Sequence, residues 1–96
     1  MTYDEFETTV RAEGFDEVLV REWPALFVLE THSHPFAVKA LVTRGELWLE
    51  VGGETRHLKA GDRFELARGE AHAERYGSQG ATFWVARRHG SGASAD

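Results

Sequence analysis

Cysteine is absent from the 96-residue sequence. Disulfides, thiolate metal sites, Cys-ligated iron–sulfur clusters and cysteine nucleophiles are therefore excluded, and any chemistry must use His, carboxylates, hydroxyls, Lys or Arg. Long hydrophobic runs are absent as well: the longest is Ala25 to Leu29, far short of a bilayer span. The first twenty residues are acidic and polar and carry no export signal. The expectation is a cytoplasmic protein with no membrane partner.

Basic excess is also missing. The net charge is −5, and it is unevenly placed. Residues 1–30 hold eight acids against Arg11 and Arg21, a net of −6, whereas residues 31–96 hold eight acids against nine bases, a net of +1. An acidic N-terminal third argues against binding a phosphate backbone, and no helix-turn-helix pattern is visible, so no nucleic-acid partner is expected. A chain of this length buries roughly 60–65% of the surface that its unfolded form exposes, enough for one core. Any pocket must be built inside that core.

The chain opens with a helix signal. Thr2 followed by Glu5 has capping-box spacing, Tyr3, Phe6 and Val10 recur at helical intervals, and Gly14 stands where a helix would stop. From Phe15 onward the pattern turns to short β-like runs. Strands are expected near 16–22, 25–34, 38–43, 46–51, 54–58, 63–66, 71–76 and 81–88. The breaks between them include Arg44-Gly45, Gly52-Gly53 and Gly77 to Gly80. Gly52-Gly53, flanked by alternating Leu47, Leu49 and Val51, is the best hairpin signal. Many short strands predict an all-β sandwich or barrel. Trp48, Phe83 and Trp84 cannot all fit inside a small barrel, so some should cover an outer face. One barrel domain is expected over residues 1–89, with Gly90 to Asp96 a small, polar, disordered tail.

Five histidines are present: His32, His34, His57, His72 and His89. His32 and His34 are two residues apart, so on a strand they face the same way and can converge on one ion. Pro35 ends the strand directly after them. His57 stands beside Leu58, the inward member of that pair by its apolar character, so His57 should face solvent with His89. Arg63, Arg75, Arg87 and Arg88 read first as solvated surface, although each can bind an anion.

Set in order, these residues resemble the cupin superfamily, specifically its small single-domain, RmlC-like members. The first cupin motif runs G-x5-H-x-H-x(3,4)-E-x6-G, and His32, His34 and Gly45 match it; the second runs G-x5-P-x-G-x2-H-x3-N, and Gly61, Gly69 and His72 match it. The resemblance covers about residues 25–87. It implies a cupin-type β-barrel (a double-stranded β-helix or jelly roll), here preceded by the short N-terminal helix read above, with a small-molecule ligand and a homodimer. It also implies His32, His34 and His72 as ligands of a divalent metal ion, which can be iron, zinc, nickel, copper or manganese.

The departures from the motifs bear on function. Val38 stands where the ligand Glu belongs, and the Lys39 beside it should point away from the barrel interior. Leu26 stands where the first motif opens with glycine, Ala67 replaces Pro and Tyr76 replaces Asn. Three neutral ligands would leave the ion its full +2 charge, which favours an anionic ligand at the open positions. Two carboxylates can compensate for Val38: Glu30 shares alternation with His32 and His34, and Glu74 shares it with His72. Each can be a ligand, an orienter of a histidine or a general base, or can be turned to solvent by a bulge. Tyr76, on the same face as His72, can donate to a bound molecule or serve as a wall residue. The functions left open are a metal-dependent enzyme of dioxygenase or isomerase type, a small-molecule-binding or sensory barrel without turnover, and a barrel whose histidines hold no metal.

Overall fold

A computed structural model describes residues 1–89; the tail expected at Gly90 to Asp96 lies outside the described residues. Helix α1 spans Tyr3–Ala12 and is followed by six antiparallel strands: β1 Glu17–Trp23, β2 Val28–His32, β3 Ala37–Val51, β4 Glu54–Lys59, β5 Arg63–Leu66 and β6 His72–Arg88. The capping box is formed as expected. Thr2 Oγ1 accepts from the Glu5 backbone N–H, and Glu5 Oε1 accepts from the Thr2 backbone N–H at 2.8 Å. No helix among the described residues is long and apolar enough to cross a membrane.

β3 and β6 form the spine, paired along their length from Ala37 opposite Arg88 to Val51 opposite His72. Four strands were expected where these two occur, because Gly45 and Gly77 to Gly80 read as breaks. The glycines bend the strands without ending them. A straight strand of 17 residues would run about 55 Å, whereas the longest dimension of the molecule is 40 Å. At the bend the pairing register shifts twice, between Val42 and Arg44 and between Gly45 and Leu47. The shift exchanges the inward face: Val38, Ala40 and Val42 point into the core before it, Leu47 and Leu49 after it. β6 does the same, with His72, Glu74 and Tyr76 buried on one side of the bend and Ala81, Phe83 and Val85 on the other.

The shorter strands attach to the halves of this spine. β5 pairs with the first half of β3 and β4 with the second, joined to it through Gly52-Gly53, where both residues have positive φ as a two-residue hairpin turn requires. β1 pairs with the second half of β6 and β2 with the first, which sets His32 directly opposite His72. The result is a curled sheet with a packed interior of Val38, Leu47, Leu49, Phe64, Tyr76 and Phe83, among others. A second, smaller cluster lies outside it, where Phe6 and Val10 of α1 cover Phe15, Leu41 and Ala86. The three large aromatics divide accordingly. Phe83 is interior, Trp84 lies under the helix with its ring edge-on to Tyr3 at 5.5 Å, and Trp48 covers the outer face stacked on His57 at 4.5 Å.

The strand expected at 25–34 is shorter, because residues 24–27 form a turn before β2 begins at Val28. In that turn Leu26 has φ +61 and is 72% exposed. This is the position at which the cupin motif has glycine, the residue that suits a left-handed backbone. The conformation costs a non-glycine residue about 1–2 kcal/mol, while glycine costs about 0.5–1 kcal/mol in unfolded-state entropy. Leu26→Gly is therefore expected to raise stability by about 0.5–1 kcal/mol, read as a higher urea midpoint. A lower midpoint would mean that the exposed leucine side chain contributes more than the strain costs.

Candidate metal centre

β2 and β6 carry the histidines to one point. His32 ends β2, His34 follows two residues later, and His72 opens β6 opposite His32. One nitrogen from each ring lies within 4.8 Å of the others. The ring centroids are 4.9 Å apart for His32 and His34, 4.4 Å for His32 and His72, and 5.2 Å for His34 and His72. His72 is buried, and the other two are partly exposed.

Backbone carbonyls orient two of the rings in the same way. His32 Nδ1–H donates to the Glu30 carbonyl at 2.8 Å, and His72 Nδ1–H donates to the Glu70 carbonyl at 2.9 Å. A carbonyl can only accept, so Nδ1 carries the proton in both rings and the lone pair of the neutral imidazole sits on Nε2. This is the arrangement by which metal-binding histidines are held and made more basic. His34 is fixed by packing, its ring nearly parallel to Phe36 at 4.8 Å. Burial first, then the charges of His32, His72, Arg87 and Arg21, holds the His34 pKa below the usual histidine range. A lowered pKa keeps the ring neutral, the form that ligates a cation.

The two candidate carboxylates part company. The pairing of β2 with β6 is irregular between Leu29 and His32, and this bulge breaks the alternation that put Glu30 on the histidine face. Leu29 lines the interior cavity instead, and Glu30 is exposed. The expectation of an interior Glu30 carboxylate is corrected: what it contributes to the histidines is its backbone carbonyl. Glu74 is buried, with Oε2 3.4 Å from His72 Nε2 and 4.0 Å from His32 Nε2. The regular alternation of β6 from His72 onward places it there. Tyr76 donates its hydroxyl to Glu74 Oε1. Burial, then the charge of Glu74 and the hydrogen bond to it, pushes the Tyr76 pKa far up. The phenol is therefore a donor that positions Glu74 and cannot act as a base. Val38, at the motif's Glu position, is buried and lines the same cavity. Lys39 points outward as expected, to Glu13 at 2.7 Å.

The cavity these residues surround has a volume of about 70 Å³. Two arginines reach it. Arg87 was expected to be solvated, but it stands on the inward face of β6 after Val85 and lines the cavity. Arg21 and Trp23 on β1 line it too, and sequence reasoning did not single them out. Their signal was the alternation of Leu19, Arg21 and Trp23 on one face of β1, legible only once that strand is known to close the barrel. His57 and His89 are exposed as expected, hydrogen-bonded at 2.6 Å to Glu46 and Glu17 respectively.

A curled antiparallel sheet with histidines converging in its interior gives the chain the fold of a small cupin barrel. Within that class it belongs to the AraC-like ligand binding domain family, whose model matches residues 16–89. The cupin domain of Cnp3 from Schizosaccharomyces pombe superposes with a TM-score of 0.73 at 16% identity, over 84% of this chain and 64% of that one. An RmlC-like cupin from Shewanella frigidimarina superposes at 0.68 with 18% identity, over 82% and 71%. The DMSP lyase DddQ from Ruegeria pomeroyi superposes at 0.70 with 25% identity, over 77% of this chain and 38% of the lyase. The chain thus spans less than two thirds of both the lyase and the Cnp3 domain. No curated protein sequence matches it.

Proposed function

We propose that this barrel binds a divalent metal ion through Nε2 of His32, His34 and His72, with Glu74 as the carboxylate beside them, and takes a small molecule at the remaining coordination positions. One observation carries the reading. The Nδ1 protons of His32 and His72 are committed to backbone carbonyls, so their Nε2 lone pairs face the Glu74 carboxylate across 4.0 and 3.4 Å. Buried His72 Nε2 has no hydrogen-bond partner among the described residues. Electron pairs facing one another in a buried site repel, and a cation between them turns the repulsion into ligation. Glu74 then takes the place of the carboxylate that Val38 cannot supply, entering from β6 instead of β3. Tyr76 holds its other oxygen.

A bound divalent ion would supply Lewis-acid polarisation of a ligand oxygen and acidify a bound water. Iron, zinc, nickel, copper and manganese all suit an imidazole-rich set. Untagged protein is expected to carry close to one equivalent of one of these metals by elemental analysis, and to gain thermal stability when it is added back after chelation. Substoichiometric metal together with no stabilisation by any of the five would overturn the reading.

The catalytic form of this reading is dioxygenase- or isomerase-type turnover. The non-catalytic form, a ligand-binding or sensory barrel, is favoured by the family's description as a ligand binding domain. Oxygen consumption screened with small thiols, diketones and aromatic acids separates the two.

A further inference from the structure

The same cavity contains recognition groups that the metal reading leaves unused. Trp23, which lines it, has a buried indole Nε1 with no hydrogen-bond partner among the described residues. Arg87, which also lines it, has a buried Nε in the same condition; one of its terminal nitrogens lies 3.6 Å from Glu17, and its guanidinium packs over the Phe36 ring at 4.7 Å. Arg21 points inward between Leu19 and Trp23 with its guanidinium over the Trp23 ring at 4.7 Å. It makes no ion pair within 4.0 Å among the described residues.

Stacking holds each guanidinium by its face and leaves its N–H edge for a planar acceptor, the geometry in which arginine grips a carboxylate. All three groups are donors without an acceptor atom. With the proposed ion in place, the histidine Nε2 atoms and Glu74 Oε2 would be committed to it and Glu74 Oε1 to Tyr76, so a polyol would find no free acceptor in the cavity. A ligand that brings acceptors alone is an anion. Arg87 is balanced by Glu17 at 3.6 Å, so the cation that meets an incoming anion without a partner among the described residues is Arg21. The cavity volume of about 70 Å³ limits the ligand to a small molecule.

We propose that the cavity is a carboxylate site. It admits a short organic acid whose carboxylate is held by Arg21 and Arg87, while the rest of the molecule reaches the three histidines; this orientation rests on the metal reading above. The partly exposed rim residues Arg21, His34 and Arg87 let it enter from solvent.

Calorimetric titration with malonate, its neutral isostere malonamide and inorganic sulfate tests this on protein with its native metal content and on chelator-stripped protein. Malonate is expected to bind at least about tenfold more tightly than either control. Arg21→Gln and Arg87→Gln should each weaken it by about tenfold or more, the scale of one lost charge-assisted hydrogen bond, with metal content and circular dichroism unchanged. Arg87→Lys, keeping the charge without the fork, should fall between. Equal binding of malonamide or sulfate, or malonate binding unaffected in both glutamine variants, would overturn the proposal. The two readings fail separately. Arginine-dependent malonate binding in protein that takes up no metal removes the metal and leaves the carboxylate site. Stoichiometric metal with no arginine-dependent malonate binding does the reverse.

Discussion

His72→Ala is expected to weaken metal binding by more than about 100-fold while leaving the barrel folded. His72 is the buried member of the triad and sits opposite His32 in the β2–β6 pairing, so it is the ligand whose position depends least on loops. Loss of an orienting partner behind a metal ligand typically costs 10–100-fold in affinity, and loss of the ligand itself should exceed about 100-fold. At a metal concentration about 1,000 times the dissociation constant, binding stabilises the wild-type protein by about 4.1 kcal/mol, on the order of 15–30 °C in Tm for a domain of this size. In the variant the same concentration would contribute about 1.4 kcal/mol or less. The metal-free variant should lose only about 1–3 kcal/mol, from one backbone-bound imidazole and the space it filled. Thermal scans with and without metal read both quantities. A variant as strongly stabilised by metal as the wild type would remove His72 from the site.

Gly45→Ala is expected to lower stability by more than about 4 kcal/mol, among the largest effects available to a single methyl group. Gly45 has φ +78, and a Cβ there would lie 2.0 Å from the Gly80 carbonyl oxygen and 2.9 Å from Ala81 Cα. Gly80 is in turn pressed against Trp23, where its own Cβ would meet the carbonyl oxygen at 2.1 Å. Three backbone segments, from β1, β3 and β6, are stacked at the bend that curls the sheet, and none can retreat without breaking a pairing. The domain as a whole is expected to have only about 5–15 kcal/mol of stability. Gly53→Ala is the matched control, because Gly53 also has positive φ (+84) but nothing lies within 4 Å of a Cβ there. Its cost should stay at about 0.5–1 kcal/mol, the left-handed backbone penalty less glycine's entropy cost. Equal losses from the two substitutions in urea denaturation would show that conformation, and not the close approach at the bend, sets the requirement for glycine.

The two glycine positions also mark how far local pattern reading reaches. Gly52-Gly53 was legible as a hairpin because a two-residue turn between alternating strands is a local event. Gly45 and Gly80 looked like the same kind of punctuation, yet they let two strands pass close together while remaining strands. Nothing in the neighbourhood of Gly45 reveals that Gly80, 35 residues later, is its contact.

The spacing of His32, His34 and His72, the capping box at Thr2 and Glu5, and the absence of thiols determined the kind of barrel, its helix and the only ligand types open to it. These are local or combinatorial properties that the chain carries before it folds. Which carboxylate faces the histidines was decided by the fold. Alternation along a strand assigns residues to two faces, but its phase is set by pairing with distant strands, and one bulge between Leu29 and His32 was enough to send Glu30 to solvent. The unbroken register of β6 kept Glu74 inside, and the closure of β1 against that strand turned Arg21 and Arg87 from surface charges into the walls of a cavity.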